Sequence, residues 1–110
     1  MARKLRKAAP EEPVARLAAE LTSHLEAAKA FAEPPTAKAL DALITFYRTG
    51  EESDRKAYDI AWVQDKASPV DTINGFIEVY LDPRGIKGGW EALVFHVNQE
   101  KTQRIKPIAA

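Results

Sequence analysis

Two side chains in the last third of the sequence have the types and spacing that could hold the free amino end of a peptide. Glu78 and Tyr80 stand two residues apart in the apolar run 72–81. Side chains alternate between the two faces of a strand, so both are predicted to share a face with Asn74 and Phe76. A carboxylate can pair with an ammonium group, a phenol can donate a hydrogen bond to a carbonyl oxygen or an oxyanion, and the amide of Asn74 could hold a peptide backbone.

A simpler interpretation of this face needs no ligand. Ordinary polar residues of a half-buried strand also face solvent, and short motifs carry weight only in a structural context. The opposite face is aliphatic and is predicted to enter a core; it carries Ile73, Gly75, Ile77, Val79 and Leu81. Gly75 would let a substrate or a neighbouring backbone approach closely.

The strand that positions these residues, at about 71–81, is predicted to form an antiparallel hairpin with a second strand at about 90–97. The loop at 82–89 joins them, and its glycines do not form a phosphate site because the lysine and the serine or threonine of a P-loop are missing. A hairpin alone is marginal in water. Its open edges therefore need cover from the helices or from a partner chain.

Helical periodicity predicts three segments before the hairpin, at 13–32, 37–49 and about 55–60. Caps and breaks are expected at these positions: Thr36 before the second helix, Gly50 after it, and Ser53 or Asp54 before the third. Residues 61–66 are predicted to be extended, with Trp62 buried. Asn98 is expected to cap a last helix at 99–105, which Pro107 should end or kink.

These elements predict an α+β chain: N-terminal helices, a long-looped antiparallel β-hairpin and a short C-terminal helix. Residues 1–12 are predicted to be a flexible arm and 13–66 a helical segment. Residues 67–110 would carry the hairpin and the C-terminal helix. The apolar ending at 108–110 is taken to indicate truncation.

The run Gly75–Tyr80, followed by Asp82-Pro83, resembles the substrate-binding strand of the dipeptidyl peptidase III family of zinc metallopeptidases. The resemblance covers roughly residues 37 to 106, and its flanks are Trp62-Val63-Gln64-Asp65-Lys66, Pro69, Gly88, Trp90-Glu91, Val94 and Val97-Asn98. It implies that Glu78 binds the amino terminus of a peptide substrate and that Tyr80 stabilises the charge that develops on the scissile carbonyl. Asn74 and Gly75 are added as substrate contacts from their positions on the strand.

The resemblance also implies that 67–110 belongs to a β-barrel-like lobe of a larger enzyme, whose cofactor is zinc. The His-Glu-x-x-Gly-His helix of that family and its second glutamate motif are missing from this sequence. The two histidines, His24 and His96, lack ligand spacing, so no zinc ligand is identified here. We expect the isolated chain to be inactive. Hydrolysis of a dipeptidyl arylamide by the pure chain, abolished by Glu78→Ala, would contradict this.

The amino-acid composition of the chain argues against several classes of function. The 110 residues carry 16 basic and 16 acidic side chains, which gives no electrostatic case for nucleic acid or an anionic membrane. No cysteine is present, which removes disulfides and thiolate zinc sites. The basic start lacks the apolar run of a signal peptide, and no segment has the length of a membrane span, so a cytoplasmic location is expected.

The sequence is consistent with three hypotheses about the function of the chain. The chain could be a segment of a zinc-dependent dipeptidyl peptidase that removes dipeptides from peptide N-termini, and its partners would then be a peptide substrate and the remainder of the enzyme. It could be a peptide-binding module without catalysis, which would lose affinity when the peptide amine is acetylated. It could be an assembly domain whose sheet edge pairs with another copy or chain.

Overall fold

The computed structural model describes residues 12–77, 84 and 89–109. Its elements follow in the order α1 (Glu12–Lys29), α2 (Pro34–Thr49), α3 (Glu52–Gln64), β1 (Val70–Ile77), β2 (Gly89–His96) and α4 (Gln99–Ala109). The predicted α+β fold is thereby confirmed. The chain divides between Lys66 and Ala67 into two compact units, here called the helical unit and the hairpin unit. Of the predicted arm, only Glu12 is described, and it begins α1.

The turn between α1 and α2 differs from the prediction at both of its ends. α1 ends at Lys29, and the next three amide groups bond three residues back, which tightens the chain into a turn. α2 then begins at Pro34, with Glu33 as its N-cap residue. Pro34 and Pro35, which the sequence predicts to stop the first helix, instead lie at the start of the second, since proline suits a first helical turn. Thr36 lies inside α2 and is not its cap.

α3 is longer than predicted. It runs through Gln64, so residues 61–64 are helical instead of extended. No proline or glycine interrupts this stretch, and Pro69 restricts only the residue directly before it. Tyr58 and Ala61 are buried at helical spacing, and Trp62 is half-buried beside them instead of fully buried. Glu51 is the N-cap residue and makes no side-chain cap bond, so the expected cap at Ser53 or Asp54 was wrong.

The core of the helical unit lies between α2 and its two neighbours. Leu43 is fully buried and Ile44 is 2 % exposed, and both come from the predicted apolar face of α2. α1 contributes less, because Leu17 is 58 % exposed and Leu21 is 44 % exposed. Gly50 ends α2 in the left-handed conformation at φ 68°, with its amide bonded to the Phe46 carbonyl, as the sequence predicts.

The hairpin unit is a two-stranded antiparallel sheet followed by α4. The strand register pairs Ile73 with Leu93 and Asn74 with Ala92. The predicted core face is exposed in this unit, since Ile73 is 48 % and Leu93 is 51 % accessible. Two strands are too few to bury it, and α4 makes no close backbone contact with either strand among the described residues.

α4 begins as predicted and ends later than predicted. The Asn98 side chain accepts a hydrogen bond from the Lys101 amide at 2.9 Å, which confirms the expected cap. Pro107 does not end the helix, which continues to Ala109. It removes one backbone bond in the last turn, where few residues depend on it. Among the described helices, none is long and apolar enough to cross a membrane.

Candidate functional site

The candidate site is built on the hairpin, whose register decides which side chains share a face. Residues directly opposite each other in an antiparallel pair lie on the same face. One face, called here the Asn74 face, therefore carries Val70, Thr72 and Asn74 from β1 and Trp90, Ala92, Val94 and His96 from β2. The other, called the Ile73 face, carries Asp71, Ile73 and Gly75 from β1 and Glu91, Leu93 and Phe95 from β2.

Asn74 lies where the strand pattern predicts. It is half-buried, and its amide nitrogen donates to the Thr72 hydroxyl at 3.4 Å, which is long for a hydrogen bond. Ala92, directly opposite, is small and exposed, so it leaves space beside the amide.

Gly75 is half-buried in β1, opposite Glu91. A side chain built at this position would meet no atom within 4 Å among the described residues, and the backbone φ is not positive. Packing inside the hairpin therefore does not require glycine here. The absence of a side chain leaves the backbone of β1 open to approach from the Ile73 face.

Glu78 and Tyr80 lie outside the described residues. β1 is described as far as Ile77, where the register pairs Ile77 with Gly89 and Phe76 with Trp90. Of the four predicted site residues, the structure therefore describes Asn74 and Gly75, which lie on opposite faces of the hairpin. The positions of Glu78 and Tyr80 stay predictions from the two-residue period of the strand.

Trp90 also belongs to the Asn74 face, although the sequence motif did not identify it as a site residue. It opens β2, is half-buried, and faces Phe76 in the register. Loop length and turn type together set that register, so the sequence does not predict it when the turn type is unknown. A tryptophan at the start of a strand that follows a glycine-rich loop is the signal that could have drawn attention to it.

The two histidines are described, and neither has the surroundings of a metal ligand. His24 on α1 is exposed and lies 3.9 Å from the Glu20 carboxylate, one helical turn away. His96 ends β2 opposite Val70 and is exposed. Within the described ranges, no group of three or more histidine, cysteine, aspartate or glutamate side chains could hold a metal ion.

Comparison with known proteins matches this chain to one family over most of its length. The model of peptidase family M49 matches residues 13–110. A dipeptidyl peptidase 3 from Dictyostelium discoideum is 39 % identical over 61 residues, which are 56 % of this chain and 9 % of that protein. The proteins of the same name from Rattus norvegicus and Homo sapiens are each 32 % identical over 92 residues, which are 83 % of this chain and 12 % of theirs. No solved structure matches significantly. The chain thus spans about a tenth of the length of these relatives.

Proposed function

The chain belongs to peptidase family M49, and from that premise we propose that it is a segment of a zinc-dependent dipeptidyl peptidase that supplies part of the substrate-binding strand. The observation that carries the proposal is the family match over residues 13–110, which includes the whole of β1. The names of the curated relatives support release of dipeptides as the reaction. The finer assignment of a substrate-binding role rests on the residues of β1.

In this proposal the side chains of the Asn74 face act in sequence along a bound peptide. The Glu78 carboxylate pairs with the free amine of the substrate. Tyr80 donates a hydrogen bond to the scissile carbonyl oxygen and stabilises the charge that develops there. Asn74 bonds the peptide backbone through its amide, and Gly75, on the opposite Ile73 face, keeps the backbone of β1 accessible from that side.

Zinc, in the same proposal, is held elsewhere. A catalytic zinc takes three protein ligands and a water, and it polarises the carbonyl and activates that water. The described residues do not fit this need, since they contain no group of three candidate ligands. No residue of this chain is therefore assigned to the metal. The remainder of the parent enzyme would supply it and would cover the open sheet edges, and a cytoplasmic location is proposed for the whole.

Peptide binding by the purified chain tests the substrate-binding role. A tetrapeptide with a free amine and a dye at its carboxyl end should bind, and its N-acetylated form should not. Glu78→Gln should weaken binding by roughly ten- to a hundredfold, since a hydrogen bond to a charged group is worth about 1.5–3 kcal/mol. Glu91→Gln is the matched control, because it removes a carboxylate from the Ile73 face of the same hairpin. Fluorescence anisotropy measures all four cases.

The alternative is an assembly module without peptide recognition. It is favoured by the exposed apolar side chains on both faces of the sheet, such as Ile73 and Val94. Self-association in solution, together with indifference to Glu78→Gln and to acetylation, would replace the substrate-binding proposal with this one. The mass of the native gene product provides a further test of the peptidase proposal. A product of about this size would leave no room for a zinc site.

A further inference from the structure

The dipeptide Asn74-Gly75 lies inside a strand, although asparagine followed by glycine is typical of hairpin turns. The asparagine side chain is an amide, and the backbone nitrogen of the following residue can attack it to form a five-membered ring. Glycine in the second position leaves that nitrogen unhindered, since it carries no side chain. A Cβ atom added at Gly75 would meet no described atom within 4 Å, so the surrounding hairpin does not crowd the dipeptide either.

The strand register determines the partner of the attacking nitrogen. The Val97 amide donates to the Pro69 carbonyl at 2.8 Å, and these two residues continue the register of the strands by one position. In an antiparallel sheet, hydrogen-bonded pairs alternate with non-hydrogen-bonded pairs. In steps of two from Pro69 and Val97, Gly75 and Glu91 form a hydrogen-bonded pair. The Gly75 amide therefore donates to the Glu91 carbonyl as long as the strands are paired.

The Asn74 side chain has an unreactive orientation in the same paired state. Its amide nitrogen donates to the Thr72 hydroxyl, which lies two residues back on the same face. The side chain therefore leans toward residue 72 and away from the Gly75 nitrogen. Ring closure needs rotation of the Asn74 side chain and release of the Gly75 amide from Glu91. The second of these changes requires local opening of the hairpin.

The hairpin has little to resist local opening. The sheet that the structure describes consists of β1 and β2, and an isolated two-stranded hairpin is marginally stable in water. Within the described ranges, α4 makes no close backbone contact with either strand. Regions with few buried contacts open with free energies well below that of global unfolding. Opening of the hairpin therefore frees the Gly75 nitrogen while the helical unit stays folded.

We propose that Asn74 is a site of spontaneous deamidation whose rate is set by the pairing of Gly75 with Glu91. In the open hairpin, the Gly75 nitrogen loses its proton to hydroxide, forms a bond to Cγ of Asn74 and expels Nδ2 as ammonia, which takes a proton from water. Water then opens the resulting succinimide ring. Addition of water at Cγ gives aspartate, and addition at the main-chain carbonyl carbon gives isoaspartate. This site does not depend on the proposed function.

Either product changes the hairpin. The described residues of the Asn74 face include no aspartate or glutamate, so both products place a carboxylate on a face that has none among those residues. Isoaspartate also inserts one more carbon atom into the backbone of β1, which displaces Gly75 from its position opposite Glu91. Deamidation therefore alters both the charge of this face and the pairing that had slowed the reaction.

Deamidation of the full chain in native buffer and in guanidinium chloride at the same pH tests the proposal. Mass spectrometry of tryptic peptides, with chromatography that separates aspartate from isoaspartate, follows both asparagines of the chain. Asn74 should react about tenfold more slowly in native buffer, which corresponds to an opening free energy of about 1.4 kcal/mol. Asn98 is the internal control, because Gln99 follows it and its side-chain oxygen accepts the Lys101 amide. Asn98 should react more slowly than Asn74 under both conditions.

Two proline variants at neighbouring positions of β2 test the role of strand pairing. Glu91→Pro removes the amide that donates to the Gly75 carbonyl, and it should raise the native rate about tenfold, to the rate in guanidinium chloride. Ala92→Pro is the matched control. Ala92 belongs to a non-hydrogen-bonded pair, so its amide points away from β1, and proline is tolerated at such a position of an edge strand. This variant should keep the wild-type native rate.

Gly75→Ala tests whether the backbone nitrogen of residue 75 is the attacking group. Its methyl group hinders that nitrogen, so deamidation in guanidinium chloride should slow about tenfold, which corresponds to about 1.4 kcal/mol in the barrier. An unchanged rate would indicate direct hydrolysis of the side-chain amide by water and would overturn the proposed reaction.

The remaining outcomes concern the pairing and the site itself. Equal wild-type rates in native buffer and in guanidinium chloride would overturn the control by strand pairing, as would equal acceleration in Glu91→Pro and Ala92→Pro. An Asn74 that stays intact in native buffer while it is fully converted in guanidinium chloride would overturn its assignment as a site in the folded chain. Peptide binding enters none of these measurements, so failure of this proposal and failure of the proposed function are distinguishable.

Discussion

The helical unit and the hairpin unit use their apolar residues in opposite ways. In the helical unit, Leu43 and Ile44 are 0 % and 2 % exposed. In the hairpin unit, none of the residues whose side-chain exposure is described is buried, and Leu93 and Phe95 are 51 % and 48 % exposed. The strands are richer in large apolar residues than the helices of the helical unit are. The difference is that, within the described residues, each strand packs beside one other strand, whereas α2 packs beside two helices.

Side-chain hydrogen bonds also join distant parts of the helical unit. Thr36 donates to Asp65 at 2.5 Å, and Arg48 of α2 donates to Glu26 of α1 at 3.2 Å. In the hairpin unit, the two strands are joined by their backbone pairing, and the Val97 amide donates to the Pro69 carbonyl at 2.8 Å. A layer of helices with its own core holds its shape by internal packing. A sheet that exposes apolar side chains on both faces is instead suited to contact with other protein, as expected of a segment that spans about a tenth of the length of its relatives.

Leu43→Ala is expected to have the largest effect on stability, and it directly tests the difference in apolar burial between the two units. Truncating a fully buried leucine costs about 2–5 kcal/mol, through lost burial and the cavity left behind. Leu93→Ala, the same change on the exposed sheet, should shift unfolding by about 0.5 kcal/mol or less. Urea unfolding followed by circular dichroism at the helix wavelength measures both. Equal losses in the two variants would mean that the hairpin has a core of its own.

Gly50→Ala and Gly75→Ala form a second pair across the two units. A Cβ atom added at either position would meet no described atom within 4 Å, so steric clashes do not contribute to the difference between the two variants. Gly50 has φ 68°, where a side chain costs about 1–2 kcal/mol, whereas Gly75 has no positive φ. The first variant should destabilise the helical unit by that amount in urea, and the second should leave stability close to wild type.

The same pair sharpens the functional proposal. Gly75→Ala should weaken peptide binding if the open backbone of β1 is used by a ligand, although the variant stays folded. Unchanged peptide affinity in Gly75→Ala would remove Gly75 from the site and leave Asn74 as the remaining described contact. A loss of stability in Gly75→Ala similar to that in Gly50→Ala would show that the hairpin packs more tightly than its exposure indicates.

Asn98→Ala should have a smaller effect, confined to the hairpin unit. Loss of the cap bond to Lys101 costs about 1 kcal/mol of helix stability. An eleven-residue helix that packs on neither strand has little else to hold it, since isolated helices of this length are marginal in water. The Cα chemical shifts of residues 99–109 should move toward coil values while urea unfolding of the helical unit stays unchanged. Asn98→Asp, which keeps the acceptor oxygen, should retain the helical shifts.

The sequence predicted features that depend on local chemistry. Gly50 as a left-handed terminator and Asn98 as a cap follow from what those side chains can do within one turn. The apolar face of α2 was predicted because its period is that of a helix. The alternation of 72–77 predicted β1 and the face of Asn74 in the same way.

Other features depended on contacts that the sequence does not display. Thr36 looked like a cap, yet its hydroxyl bonds Asp65, which is 29 residues away. Residues 61–66 were predicted to be extended, yet packing of Tyr58 and Ala61 continues the helix to Gln64. For the candidate site, the sequence did not predict which residue of β2 pairs with Phe76, because the long loop leaves the strand register undetermined. The roles of Glu78 and Tyr80 come from family resemblance and stay predictions.

The smallest expected effect concerns the polar link between α1 and α2. Hydrogen bonds to Asp41 and then to Glu26 raise the pKa of the Lys29 ammonium above its usual 10.5. A raised lysine pKa in the folded state means that the stabilisation is fully present below pH 10.5 and is lost as the pH rises through the folded pKa. Asp41→Asn should lower the Lys29 pKa, measured by NMR titration of its ammonium and Cε signals. It should also reduce stability slightly at pH 8, and the difference from wild type should shrink above pH 10.5. A Lys29 pKa that is identical in the two proteins would show that the Lys29–Asp41 pair does not persist in solution. Arg48–Glu26 would then be the remaining described ion pair between α1 and α2, and the contrast between the two units would be narrower.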